Sequence, residues 1–103
     1  AEGAAAAAHP DYGVKTACLR VLANACHGNP PCQDRLRELG AIPLVLSHCR
    51  YDAANPLLRE WGVAAVRALC AGCPANQAAV EALEPQGLAP DALAAATGVA
   101  PPP

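Results

Sequence analysis

The sequence predicts an all-α fold built from a helical unit that occurs twice. The two copies match at cysteine, glycine, proline and glutamine positions: Cys26, Gly28, Pro30 and Gln33 align with Cys70, Gly72, Pro74 and Gln77. They stand about 44 residues apart, which is the length of an armadillo or HEAT unit. Apolar residues in both copies follow helical spacing, and no stretch reads as a strand. These observations predict an armadillo-like helical repeat, an α-solenoid fragment with roughly one full three-helix repeat plus flanking helices.

The first long helix is expected from Asp11 to about His27. Its apolar residues form a stripe at helical spacing, and we expect this stripe to face the core: Val14, Cys18, Val21, Leu22 and Ala25. Gly28 can end the helix in a left-handed cap, and Pro30 blocks its continuation.

Two shorter helices are expected next. One runs from Pro31 to Leu39, with Leu36 and Leu39 facing inward, and Gly40 stops it. The following helix has Pro43 in its first turn, where a missing N–H costs nothing. Its apolar face is Ile42, Val45, Leu46 and Cys49.

The second long helix is expected to start at Asn55-Pro56, an Asn cap followed by a proline, and to run to about Ala71. Its stripe matches that of the first long helix: Leu58, Gly62, Ala65, Val66 and Leu69. Pro74 then opens a short helix with Val80 and Leu83 inward, and a weak last helix is expected around 90–96.

The domain organisation follows from composition. We expect residues 1–10 to be an Ala-rich flexible tail, residues 11–96 to form the armadillo-like domain, and residues 97–103 to be a Pro-rich tail. The repeat begins and ends within a unit, so we expect the chain to be part of a longer solenoid.

Charge and hydropathy restrict the partners. The formal net charge is −2 with acids and bases interspersed, whereas nucleic acid and anionic membranes require a basic stripe. The longest apolar run, Ile42 to Leu46, is too short to span a bilayer. We therefore expect other proteins as partners, with no nucleic acid and no membrane, and self-association through exposed repeat ends as a possibility.

The six cysteines are interpreted as small buried hydrophobic residues in a reducing cytosol. One alternative is a thiol-redox site at Cys70 and Cys73, which form a C-x-x-C motif without the strand-then-helix context of thioredoxin-like sites. Another is a zinc site, for which further ligands could come only from Cys26, Cys32, His27, His48 and Cys49. No catalytic triad or phosphate loop is recognisable. The sequence predicts a non-enzyme without metal or cofactor.

Several motifs resemble the C-terminal, armadillo-like domain of the ataxin-10 family. In order, they are Leu22 to Cys26, Gln33 to Ser47, Cys49, Asp52, Asn55 to Leu57, and Arg59 to Trp61. The resemblance covers about Gly13 to Leu83. It implies a cytoplasmic protein-interaction scaffold whose relatives are linked to cytokinesis, cilia and neuronal maintenance, and it brings no catalytic residues. The second long helix departs from the family pattern, because Arg67-Ala68-Leu69 stands where an Arg-Asn-Leu is expected.

The candidate protein-binding residues are Arg20, Asn24, His27 and Arg67. In armadillo proteins that bind extended peptides, an asparagine on the third helix pairs with the ligand backbone. Asn24 is the candidate for this role, and it shares a polar strip with Arg20 and His27. Alternatively, Asn24 caps or bridges a neighbouring turn. Trp61, the only Trp, is expected to pack between helices, and a purely structural role as a solenoid cap also stays open.

Overall fold

Two 13-residue helices form the centre of the protein. The computed structural model describes residues 6–83. Its helices are α1 (Val14–Cys26), α2 (Pro30–Glu38), α3 (Ala41–Leu46), α4 (Leu58–Cys70) and α5 (Pro74–Glu81). The most extensive contact joins α1 and α4, and all three short helices also contact α4. No strand occurs within residues 6–83, so the all-α prediction is confirmed there. The expected helix at 90–96 and the Pro-rich tail lie outside the described residues.

The two sequence copies fold into the same local structure. Gly28 and Gly72 follow α1 and α4 with φ of 59° and 67°, as expected of left-handed caps. Pro30 and Pro74 then occupy the first positions of α2 and α5. The repeat is therefore visible in the backbone.

The starts of the long helices also correspond, and here one copy is strained. Gly13 and Leu57 both precede their helix in the left-handed conformation, with φ of 79° and 63°. A glycine adopts this conformation freely, whereas a residue with a Cβ loses about 1–2 kcal/mol. Leu57 is the one non-glycine residue with positive φ between residues 6 and 83.

The predicted stripe of α4 is confirmed. Its five residues, Leu58, Gly62, Ala65, Val66 and Leu69, are all buried. Glycine at position 62 permits a close approach, because a Cβ there would lie 3.1 Å from Cys49 Sγ and from the His48 carbonyl oxygen, which is a tight contact. The turn that follows α3 thus lies directly against α4.

The predicted stripe of α1 is wrong. Val14 and Val21 are 49% and 64% exposed. Cys18 and Ala25 are also exposed, and Leu22 is only half-buried. The buried face of α1 is instead Leu19, Ala23 and Cys26. Both faces of α1 have apolar residues at helical spacing. Helix α4 packs against the narrower face, which contains Leu19, Ala23 and Cys26. Within the described part of the chain, no helix covers the wider face, which was predicted to be buried.

Two further predictions of burial fail. Leu39 is 61% exposed because it is the C-cap of α2, and Gln33 is the buried residue of that helix. Cys18 is an exposed thiol, whereas Cys26, Cys70 and Cys73 are buried as predicted. The remaining predicted inward residues are buried or half-buried: Leu36, Ile42, Val45, Leu46, Cys49, Val80 and Leu83.

Asn55 does not cap α4, contrary to the prediction. Its Oδ1 accepts a hydrogen bond from the Lys15 N–H at 2.9 Å, in the first turn of α1. Its Nδ2 donates to Asp52 Oδ2 at 3.1 Å. Helix α4 begins three residues later, after Leu57, without a side-chain cap. Asn55 therefore joins the loop before α4 to the start of α1.

Side-chain amides cap the C-terminal end of α4. Gln33 Nε2 donates to the carbonyls of Ala68 and Ala71 at 2.8 and 2.9 Å. Asn76 Nδ2 donates to Leu69 at 2.7 Å and to the Gln33 carbonyl at 3.1 Å.

The carbonyl of Cys70, between those of Leu69 and Ala71, accepts a hydrogen bond from Gln77 Nε2 at 2.9 Å. The final carbonyls of a helix lack intrahelical donors. The side-chain amides from α2 and α5 supply these donors here.

Residues 6–83 contain no helix long and apolar enough to cross a membrane.

We predict that Asn55→Ala lowers the free energy of unfolding by about 1 kcal/mol, because the first turn of α1 loses its cap. Hydrogen exchange of the Lys15 amide should accelerate, while the first amides of α4 stay unchanged. Asn29→Ala is the matched control, since Asn29 caps α2 through the Cys32 N–H. Faster exchange at the start of α4 in Asn55→Ala would contradict the assignment.

Candidate functional site

A shallow groove runs between the two long helices. It has a volume of about 330 Å³ and is lined by Ala23, Asn24, His27, Trp61, Ala64, Arg67, Ala68 and Ala71. Four of these residues are alanines, whose small side chains leave the space between α1 and α4 open. We call this surface the α1–α4 groove.

The structure brings together three of the four predicted binding residues. Asn24 and His27 come from α1 and its end, and Arg67 comes from α4. Arg20 is exposed but does not line the groove. Trp61 lines the groove while its other contacts are with the buried core, in agreement with its predicted packing role.

The polar groups of the groove are available to a partner. Within residues 6–83, neither Asn24 nor Arg67 uses its side chain for an internal hydrogen bond. The alternative that Asn24 bridges a neighbouring turn is therefore not what the structure has. Among residues 6–83, the lining contains one guanidinium, one imidazole and one amide but no carboxylate. This chemistry suits a peptide backbone together with an acidic side chain.

A second groove lies between α1 and α3. It has a volume of about 170 Å³ and is almost entirely apolar, with Val14, Lys15, Cys18, Leu19, Leu22, Ala41, Leu44, Val45 and His48 as its lining. We call it the α1–α3 groove. Most of the stripe that was predicted to be core on α1 forms its wall.

A polar cluster holds the start of α1 against the loop before α4. The Ala54 N–H donates to Asp52 Oδ1 at 2.9 Å and lowers the pKa of that carboxyl below its ordinary value. The hydrogen bond from Asn55 and the charges of Lys15 and Arg50 act in the same direction. The Lys15 Nζ to Asp52 Oδ2 distance is 3.7 Å. All these groups are occupied with each other, so the cluster is structural.

The thiols form one close pair that sequence reasoning missed. Cys26 Sγ and Cys32 Sγ are 3.6 Å apart across the turn between α1 and α2. Burial, followed by the hydrogen bond with Cys32, raises the pKa of Cys26 to about 12. The Gly28 and Pro30 turn could have indicated this proximity, because it folds the start of α2 back onto the end of α1.

Cys70 of the C-x-x-C motif is a poor nucleophile. Burial, with a smaller effect of Cys73, raises the pKa of Cys70 to about 11. Cys73 Sγ lies 3.8 Å from Arg37 Nη1 and 3.9 Å from Asp34 Oδ1. No group of three or more His, Cys, Asp or Glu side chains between residues 6 and 83 is placed to hold a metal ion.

Comparison with known proteins gives a consistent result. The model of the spinocerebellar ataxia type 10 protein domain family matches residues 14–101, which extends past Leu83. The ataxin-10 homolog of Dictyostelium discoideum is 43% identical over 79 residues, covering 77% of this chain and 13% of that protein. Ataxin-10 of Bos taurus is 40% identical over 81 residues, covering 79% of this chain and 17% of that protein. Ataxin-10 of Homo sapiens is 37% identical over 81 residues, with the same coverage.

The chain spans less than a fifth of the length of these relatives. No solved structure matches it.

We predict that alkylation at pH 8 modifies Cys18 first, because it is exposed, and leaves Cys26 and Cys70 largely unreacted. Their raised pKa values keep the thiolate, which is the reactive form, scarce until the pH approaches about 12 and about 11. Quenched labelling followed by peptide mass spectrometry measures each site. In denaturant all three should react alike, and rapid native labelling of Cys70 at pH 8 would contradict the prediction.

Proposed function

This chain belongs to the ataxin-10 family, and we propose that it is an armadillo-like helical-repeat module that acts by binding other proteins rather than by catalysis. The α1–α4 groove carries this proposal. Asn24 and Arg67 line it, neither side chain hydrogen-bonds to another group within residues 6–83, and Trp61 offers an aromatic surface beside them. Aromatic and arginine side chains are frequent anchors at protein interfaces.

The repeat supports the same function. A solenoid presents equivalent helices side by side, and α1 and α4 are equivalent by sequence and by their caps. The groove between them is thus a surface that further units would prolong. The family resemblance extends the proposal to a C-terminal domain of a cytoplasmic scaffold with a role in cytokinesis, cilia or neuronal maintenance.

The partner's chemistry follows from the lining. The groove holds the guanidinium of Arg67 and the imidazole of His27, and no carboxylate from the described part of the chain lines it. In α4 the positions equivalent to Arg20, Asn24 and His27 are Ala64, Ala68 and Ala71. The polar residues at these positions of α1 are therefore replaced by alanines in α4. A single set of polar residues favours a short acidic segment as the partner over a long extended peptide.

A thiol-based function is the second candidate, because Cys26 and Cys32 lie 3.6 Å apart. The complete burial of Cys26 and its raised pKa oppose nucleophilic chemistry at this pair. Protein binding needs no such activation. If the α1–α4 groove binds no protein, the remaining alternative is a purely structural role as a solenoid cap.

We predict that a photo-crosslinking residue placed at His27, in the protein that carries this chain, captures a partner through the α1–α4 groove. Arg67→Glu should reduce this capture by about ten- to hundredfold, the usual cost of a lost charge-assisted hydrogen bond at 1.5–3 kcal/mol.

The control is the same crosslinker at the exposed Arg35, which does not line the groove and should not capture that partner. Arg35→Glu is the matched charge reversal. Equal capture from both positions, or capture at His27 that Arg67→Glu leaves unchanged, would count against the proposal.

A further inference from the structure

The two copies of the repeat differ in how much of each long helix is covered. Five positions of α4 are buried, and none of their equivalents in α1 is: Leu58, Gly62, Ala65, Val66 and Leu69 against Val14, Cys18, Val21, Leu22 and Ala25. The residue types are apolar or small in both copies. The two helices differ at Gly62 against Cys18 and in the neighbours that cover them.

In the second copy, α3 lies against this face. The turn that follows α3 approaches α4 so closely that a Cβ on Gly62 would lie 3.1 Å from Cys49 Sγ and 3.2 Å from Cys49 Cα. Ile42 and Val45 of α3 belong to the same buried cluster as Leu58 and Val66. An amphipathic helix with a short apolar face is thus what covers this type of surface.

In the first copy, the same face forms the wall of the α1–α3 groove. Val14, Cys18 and Leu22 lie one turn apart along α1, and Leu44 stands opposite on α3. Val14 and Leu44 are 49% and 62% exposed. At about 25 cal/mol per Å² of apolar surface, leaving such a strip in water is unfavourable.

We propose that the α1–α3 groove is the docking site of an amphipathic helix of the α3 type, supplied by a further helical unit that precedes α1 in a longer polypeptide. The internal repeat identifies the occupant, because α3 covers the equivalent face of α4. The curated relatives are long enough to supply it, since this chain spans 13–17% of their length. The inference rests on the helical-repeat part of the proposed function and not on partner binding in the α1–α4 groove.

The groove also restricts the sequence of the occupant. Position 18 is a cysteine where its equivalent, position 62, is a glycine. A Cβ at position 62 would stand 3.1 Å from Cys49 Sγ and 3.1–3.2 Å from backbone atoms of His48 and Cys49, which lie in the turn after α3. Beside Cys18, the turn of the docked unit must therefore stand further from α1 than this turn stands from α4, and a small residue at the place of Cys49 removes the contact made by Sγ.

The test extends the chain in register. Residues 29–56 are repeated ahead of Gly13, so that the added Pro56 joins Gly13 as the original Pro56 joins its equivalent, Leu57. The added copy carries Cys49→Ala. Alkylation of Cys18 should become about tenfold slower or more than in the present chain, because modification then requires local opening.

The matched control is the same extension with Val45→Asp and Leu46→Asp in the added copy only, which should leave Cys18 as reactive as in the present chain. Equal Cys18 rates in the extension and its control overturn the proposal. Protection of Cys18 in the present chain that grows with its concentration also overturns it, because a second copy then covers the groove.

A second measurement applies if circular dichroism shows that the added copy does not fold. Cys18 is alkylated in the whole native protein that carries this chain, where slower reaction than in the present chain supports the docked helix and an equal rate overturns it. Crosslinking at His27 reports on the other groove. Failure of partner binding and failure of helix docking are therefore separate results.

Discussion

The C-terminal end of α4 is the point at which the whole arrangement is fixed. Four successive carbonyls, those of residues 68–71, accept hydrogen bonds from the side-chain amides of Gln33, Asn76 and Gln77. Gln33 and Asn76 are buried, so water cannot replace the hydrogen-bond partners of their amides. An unsatisfied buried polar group costs about 1–3 kcal/mol, more than the net gain of about 0.5–1.5 kcal/mol per bond formed. The network therefore selects one orientation of α2 and α5 against α4.

The two copies of the repeat diverge at this network. The position of Asn76 in the second copy is held by Cys32 in the first, so a thiol stands where an amide caps the neighbouring helix. Cys32 contacts Cys26 at 3.6 Å instead. The end of α1 thus lacks the amide that Asn76 supplies to α4, and the start of α1 is capped by Asn55 from the other copy. Helix α1 lines two grooves, a polar one with α4 and an apolar one with α3.

Within residues 6–83 the sequence predicted the five helices, their order and the stripe of α4, because periodicity, glycines and prolines act locally. It did not predict which face of α1 is buried, since the wider apolar face with Leu22 is not the one that α4 covers, and only the position of α4 decides between the two faces. Asn55-Pro56 has the form of a local cap, yet the Asn55 side chain reaches Lys15, which is remote in sequence.

The repeated Gln33 and Gln77 were visible in the sequence, but their role required the position of the α4 carbonyls. Of the candidate site, Asn24 and His27 were predictable as part of a polar strip on an apolar helix, and Arg67 was named without that signal. The pairing of Cys26 with Cys32 was not.

The most direct test of this account is the stability of Gln33→Leu, which keeps much of the side chain's volume and removes its amide. Denaturant unfolding should show a loss of about 2–3 kcal/mol, because two carbonyls of α4 lose their donor in a buried site. Gln77→Leu, at a half-buried position with one such bond, should lose less. An unfolding curve for Gln33→Leu that coincides with that of the original chain would contradict the central role of the amide network.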